Sequence, residues 1–129
     1  MDELHKLTIT ELAELLAGGR TSSKEICAAF LGRAAALEKN IGAFTKLDEA
    51  DVIAQAEASD RRRASASALG PCDGIPVAIK DNITVAGQPC TCASKILDSF
   101  VSPYDSTAAE RLRAKGFVLF GRTNMDEFA

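Results

Sequence analysis

Apolar residues recur at helical spacing through the first half of the chain and change to strand-like patterns in the second, so the pattern alone divides the sequence. Thr10 leads into Glu11-Leu12-Ala13-Glu14-Leu15-Leu16, and Gly18-Gly19 then stops the run, as glycine after a last helical turn does. Ser22 or Ser23 caps a second helix with Glu25 near the capping-box position. Its apolar stripe, Ile26, Phe30, Ala34 and Leu37, carries it to Asn40. A short strand is expected over 43–47, after which Asp48 caps an alanine-rich helix running through Val52 and Ile53 to Arg61-Arg62-Arg63. Positive charge suits a helix carboxyl end, and with acidic residues nearby the three arginines read as a solvated terminus. Residues 64–68, alternating alanine and serine, read as a mobile connector.

Beyond residue 68 the pattern alternates strand and helix. Gly74-Ile75-Pro76-Val77-Ala78-Ile79 is uncharged, closes on Lys80, and meets the turn-forming pair Asp81-Asn82. Period-two alternation puts Ile75, Val77 and Ile79 on one face and Pro76, Ala78 and Lys80 on the other. Residues 82–85 extend this strand past a bend before Gly87, and 92–97 read as one short helical turn. Tyr104 and Asp105 read as turn and cap residues ahead of a helix over 107–115, which Gly116 ends. Phe117-Val118-Leu119-Phe120-Gly121 is then a continuously apolar strand. Strand, crossover helix and buried strand make a β-α-β unit with both strands in one sheet. The expected class is therefore α/β, with a helical preface over about 1–68 and the start of an α/β core over about 69–129. Such sheets are covered by helices on both faces, which two strands do not provide, so the chain reads as truncated. Its last polar residues lie just past the carboxyl end of a strand, where α/β sheets build sites.

Composition narrows the function classes. The net charge of −3 gives no global field for nucleic acid or an anionic membrane, and 5% aromatic content without tryptophan argues against a base-stacking surface. An apolar fraction of 47% with 26% charged residues fits a globular protein. No apolar run approaches the roughly 20 residues of a membrane span. The start, Met1-Asp2-Glu3, is acidic and resembles neither a secretory signal nor a transit peptide, which points to the cytosol. Cys27 reads as a small buried hydrophobe. Cys72, Cys90 and Cys92 read as free thiols, because Cys90-Thr91-Cys92 has no second pair and the single histidine is the distant His5.

Lys80 is the candidate for chemistry. Its neighbours on its face, Pro76 and Ala78, leave room beside the amine, and a desolvated lysine becomes neutral and basic. The alternative is a strand-end lysine whose head reaches solvent. Asn124, Asp126 and Glu127 similarly read either as strand-end and cap residues or as a pocket border.

At these residues the sequence resembles the amidase signature family. The matching segments are Gly74-Ile75-Pro76-Val77-Ala78-Ile79-Lys80-Asp81-Asn82, then Thr91-Cys92-Ala93-Ser94-Lys95-Ile96-Leu97, Pro103-Tyr104-Asp105-Ser106-Thr107, and Gly121-Arg122-Thr123-Asn124-Met125-Asp126-Glu127-Phe128-Ala129. The third and fourth follow in the family's order, and the wording of the second and fourth tilts toward its tRNA-dependent branch, the glutamyl-tRNA(Gln) amidotransferases. The resemblance implies that residues 1–129 are the amino-terminal portion of a single amidase domain, ending before a Gly/Ser-rich segment. It implies a Ser-cisSer-Lys triad in which Lys80 matches the lysine. Both serines belong to that later segment, and Ser65, Ser67, Ser94, Ser99, Ser102 and Ser106 do not stand in the nucleophile's context. The implied reaction hydrolyses glutamine to supply ammonia, and these residues alone are expected to be inactive. The implied partners are the other subunits of a heterotrimer, one of which amidates Glu-tRNA(Gln) with ATP and magnesium. No cofactor or metal is implied for this chain. Another amidase acting on a small carboxamide, and a short non-catalytic binding or scaffold protein, are the alternatives.

Overall fold

The computed structural model describes residues 3–129; the acidic start at Met1 and Asp2 lies outside the described residues. Helix α1 spans Ile9–Ala17 and is capped by Thr8, so Thr10, which leads into the apolar run, already lies in its first turn. The reason is reciprocal hydrogen bonding. The Glu11 amide donates to Thr8 Oγ1 at 3.3 Å and the Thr8 amide donates to the Glu11 carboxylate at 2.7 Å. A capping box needs an acid or amide three residues on, and Thr10 has Ala13 there. Helix α2, Ser23–Ile41, starts on the same device at Ser22 and Glu25 and ends at Gly42, whose φ of 62° is the left-handed cap that glycine accepts readily. Strand β1 is Phe44–Lys46, and helix α3, Glu49–Ala64, is capped by Asp48 as expected.

Strand β2 is Pro76–Lys80, helix α4 is Thr107–Ala114, and strand β3 is Val118–Thr123. The sheet order is β1-β3-β2, with β2 parallel and β1 antiparallel to the central β3. The parallel pair expected from the pattern forms, and α4 crosses between its strands. Helix formers and apolar stripes then settle the layers. Cys27 and Leu31 of α2, with Val52 and Ala56 of α3, pack on Val118 and Phe120. On the opposite face Ile79, Val85 and Leu119 enclose Ala109 of α4. A third cluster seats α1 through Leu12 and Leu16 on Ile26 and Ile75. Cys27 is fully buried, and that burial pushes its thiol up to about 12. Among the described residues no helix is long and apolar enough to cross a membrane.

Three local expectations are corrected. Residues 82–85 do not extend β2, because the Ile83 amide donates back to the Lys80 carbonyl at 2.9 Å and closes a turn. Of residues 64–68, Ala64 closes α3 and Ser65 and Ala66 form a hydrogen-bonded turn, with the Ser67 amide on the Arg62 carbonyl at 2.8 Å. Of the three arginines at the end of α3 only Arg61 is the exposed, solvated residue expected; Arg62 and Arg63 are not. Arg62 holds the buried Asp73 with both arms, at 2.9 and 2.6 Å, and Arg63 donates to the Asp73 carbonyl at 2.6 Å. A bidentate carboxylate partner eleven residues away cannot be read from local charge pattern.

Asp73 sits tightly against β3's entry. Gly116 has φ of 80°, and a Cβ there would lie 2.5 Å from the Asp73 side chain, so glycine is required twice over. Burial acts to raise the Asp73 pKa, but the Arg62 hydrogen bond, the Leu69 amide and the arginine charge outweigh it and hold the carboxyl below its usual range. Its folded pKa is thus lower than its unfolded one. The stabilisation is complete above the unfolded value of about 4 and is lost as pH falls through the folded value. Asp73→Ala should cost about 3 kcal/mol at pH 7 by leaving the Arg62 contact unmatched. Urea titrations at pH 7 and at pH 3 test it: the difference between wild type and variant should shrink on acidification.

Candidate functional site

The carboxyl ends of β2 and β3 lie side by side because the strands are parallel, with Lys80 in register with Thr123. The register is interrupted once. Val77 faces Leu119 but Ala78 faces Gly121, so Phe120 is an extra residue in β3. Without that bulge Arg122 would share the face of Val118 and Phe120, by simple alternation. The bulge instead pairs it with Ile79, on the face that Asp81 also joins.

There Arg122 and Asp81 meet, 1% and 0% exposed, with Arg122 Nε donating to Asp81 Oδ1 at 3.2 Å. Thr45 Oγ1 of β1 donates to Asp81 Oδ2 at 2.9 Å, and Thr91 Oγ1 donates to the same oxygen. Arg122 Nη2 donates to the Ile83 carbonyl, while its Nη1 has no partner among the described residues. The Asp81 backbone is equally engaged: its amide donates to the Thr123 carbonyl at 3.1 Å, and its carbonyl accepts from the Cys92 amide at 3.0 Å. Cys90, also buried, directs its thiol to that carbonyl at 3.4 Å, and burial raises its pKa.

The loop pinned in this way passes through two consecutive left-handed residues, Cys92 at φ 50° and Ala93 at φ 53°. Ser94 then caps a 3-10 turn, Lys95–Leu97, which is the short helical turn that 92–97 predicts. Ser94 Oγ donates to Glu127 Oε1 at 2.7 Å, so this buried hydroxyl is committed to holding the last residues against the loop. A cavity of about 310 Å³ opens beside it, lined by Thr45, Thr91, Ser94, Lys95 and Asn124 among others. A larger cavity, about 450 Å³, lies beneath Gly87 and Gln88 near Arg113, and Lys80 lines neither.

Lys80 itself is exposed, with Ala78 exposed beside it, and its amine makes no hydrogen bond or ion pair to the described residues. The alternation that puts these two opposite Ile75 and Ile79 is as the pattern predicts. The helices α2 and α3 cover that face of the sheet at Val118 and Phe120 but not at Lys80. Asn124 is a strand-end clasp: its Nδ2 donates to the Gly42 carbonyl at 3.2 Å and its Oδ1 accepts from the Met125 amide at 2.9 Å. Asp126 offers its carbonyl to the Ala129 amide. Asp105 is not the helix cap, which is Ser106; it accepts from the Ala86 amide at 2.7 Å and pairs with Arg113 at 3.0 Å, while Tyr104 is exposed. Local pattern makes Asp81 a turn residue and gives Arg122 no role. The signal it does carry is a second charged residue closing a second apolar run.

Comparison with known proteins bears on this arrangement. A family model described as Amidase matches residues 25–129. The A subunit of glutamyl-tRNA(Gln) amidotransferase from Thermobifida fusca is 47% identical over all 129 residues, which span 26% of that relative. Its counterpart from Leptospira interrogans serogroup Icterohaemorrhagiae serovar Lai is 45% identical over an equal span. Among solved structures, native peptide amidase of Stenotrophomonas maltophilia superposes with a TM-score of 0.92 at 32% identity, covering 98% of this chain and 26% of that one. The chain therefore spans about a quarter of the length of the relatives it matches.

The buried pair carries its own expectation. Arg122→Met leaves the Asp81 charge buried without its cation and should cost about 3 kcal/mol or more. The double variant Asp81→Asn/Arg122→Met should recover part of that loss in urea titration, because no unpaired charge remains; equal losses in single and double variants would contradict the pairing.

Proposed function

The chain belongs to the amidase family, and on that premise we propose that it serves as the amino-terminal part of the A subunit of a glutamyl-tRNA(Gln) amidotransferase, with Lys80 the lysine of its catalytic triad. The observation that carries the reading is the place of Lys80. It closes β2 at the carboxyl end of a parallel pair, without a partner among the described residues and beside a rigidly held loop. That is where an α/β sheet offers reacting groups. Residues 1–68 and 69–129 are in this reading a helical preface and the start of one α/β domain.

Serine is a poor nucleophile until a base takes its proton. In the proposed cycle that proton passes through a bridging serine to the Lys80 amine, and the nucleophilic oxygen bonds to the glutamine carboxamide carbon. The carbon–nitrogen bond then breaks, ammonia leaves with a returned proton, and water hydrolyses the ester to release glutamate. In this reading both serines lie outside residues 1–129, and Ser94, bound to Glu127, is not a substitute. Lysine works as a base where desolvation favours its neutral form, and the uncovered surface around Ala78 and Lys80 lacks that enclosure here. The 129 residues alone are expected to be inactive. Amidation of Glu-tRNA(Gln), with ATP and magnesium, falls to another member of the heterotrimer. The names of the relatives do not favour a scaffold role or a different carboxamide substrate.

In the complete protein within its complex, Lys80→Ala should reduce glutamine hydrolysis about a hundredfold or more. Amidation of Glu-tRNA(Gln) fed with free ammonium should persist in the same preparation. Lys80→Arg should not restore hydrolysis, since guanidinium does not give up its proton. Glutaminase activity near wild type in Lys80→Ala would remove the lysine from the mechanism.

A further inference from the structure

We propose that Asp81 is a positioning residue for Lys80: its buried carboxylate, gripped by Arg122, Thr45 and Thr91, sets the location and direction of the lysine one residue before it. The inference rests on the reading of Lys80 as the base.

Lys80 has no side-chain anchor among the described residues, so only its backbone aims it. That backbone is paired with β3 at Thr123 and is fixed further through its neighbour. Asp81 binds β1 through Thr45, β3 through Arg122 and the Thr123 carbonyl, and the 90–92 loop through Thr91 and the Cys92 amide. Three separate segments thus converge on one residue at the strand end.

Stability alone is a weak account of this arrangement. A buried ion pair roughly breaks even against apolar packing of the same volume, whereas a satisfied buried network narrows the geometry. Two threonine hydroxyls are directed at a single oxygen, Oδ2, which fixes the carboxylate plane. The loop they fasten keeps Cys92 and Ala93 left-handed, a conformation retained only where the surroundings over-determine the path. Rigid support one residue from a reacting group is what near-attack geometry needs, because a shift of about 1 Å can cost on the order of a hundredfold in rate.

The test uses the complete protein in its complex and reads kcat and KM for glutamine together with the melting midpoint. Thr91→Val removes one donor to Asp81 at nearly constant volume and should lower kcat about tenfold with KM and melting midpoint held. Thr91→Ser keeps the hydroxyl and should restore kcat. Asp81→Asn, if it folds, should lower kcat further than Thr91→Val. Unchanged kcat in Thr91→Val, a loss that follows the melting midpoint, or failure of serine to restore the rate would overturn the positioning role. Lys80→Ala, run alongside, separates the two ideas. An inactive Lys80→Ala with an unaffected Thr91→Val overturns only the positioning role, and an active Lys80→Ala overturns both.

Discussion

The ion pair between Asp81 and Arg122 is the contact on which the functional end of this structure depends. It is fully buried, and it gathers β1, β3 and the 90–92 loop onto the residue that follows β2. Its existence depends in turn on one extra residue in β3. The bulge at Phe120 lets that ring face the helices while Arg122 faces Asp81. A regular strand would have put Arg122 on the face of Val118 and Phe120, away from Asp81. The bulge therefore serves two incompatible demands, a continuous apolar layer on one face and a charged clasp on the other.

A second buried carboxylate does for the helices what Asp81 does for the strand ends. Asp73 fixes the end of α3 to the approach of β2 through Arg62 and Arg63, and Gly116 permits the close passage of β3's entry. Asp60 of α3 meets the amides of Ser23 and Lys24 at 2.7 and 3.1 Å, so the positive start of α2 faces a carboxylate from its neighbour. Gly74 lets the two helices close in: a Cβ there would collide with Ser59 and Ser23, and Ser23 Oγ donates to the Gly74 carbonyl at 2.7 Å. Helix ends and strand starts are thus joined by charged or hydroxyl side chains aimed at backbone. The rest of the energy comes from the three apolar clusters.

What distinguishes Lys80 from these residues is that its amine has no partner among the described residues. Asp81, Arg122, Arg62, Asp73, Asp105 and Glu127 all have partners, whereas the lysine projects from a sheet face that α2 and α3 leave uncovered. Its proposed role needs an enclosing surface that these 129 residues do not supply. This agrees with their spanning about a quarter of the matched relatives.

The residues themselves determine whatever depends on neighbours a few positions away. The cap at Ser22, the helix from Asp48, the glycine stops, the alternation that exposes Ala78 and Lys80, and the parallel pairing of β2 with β3 all follow from local spacing. The α/β class and the family were legible for the same reason, since they are carried by contiguous motifs. Tertiary structure alone decided the partners of the charges. Arg62 lies eleven residues from Asp73, and Arg122 lies forty-one from Asp81, so their pairing arises only when the chain has brought the segments together. The bulge that turns Arg122 toward Asp81 has no local signature in Val118-Leu119-Phe120-Gly121, because it is settled by competition between two faces of a sheet. Local periodicity can say which side of a strand a residue takes; only the packed sheet can say when that alternation is broken, and what is buried as a result.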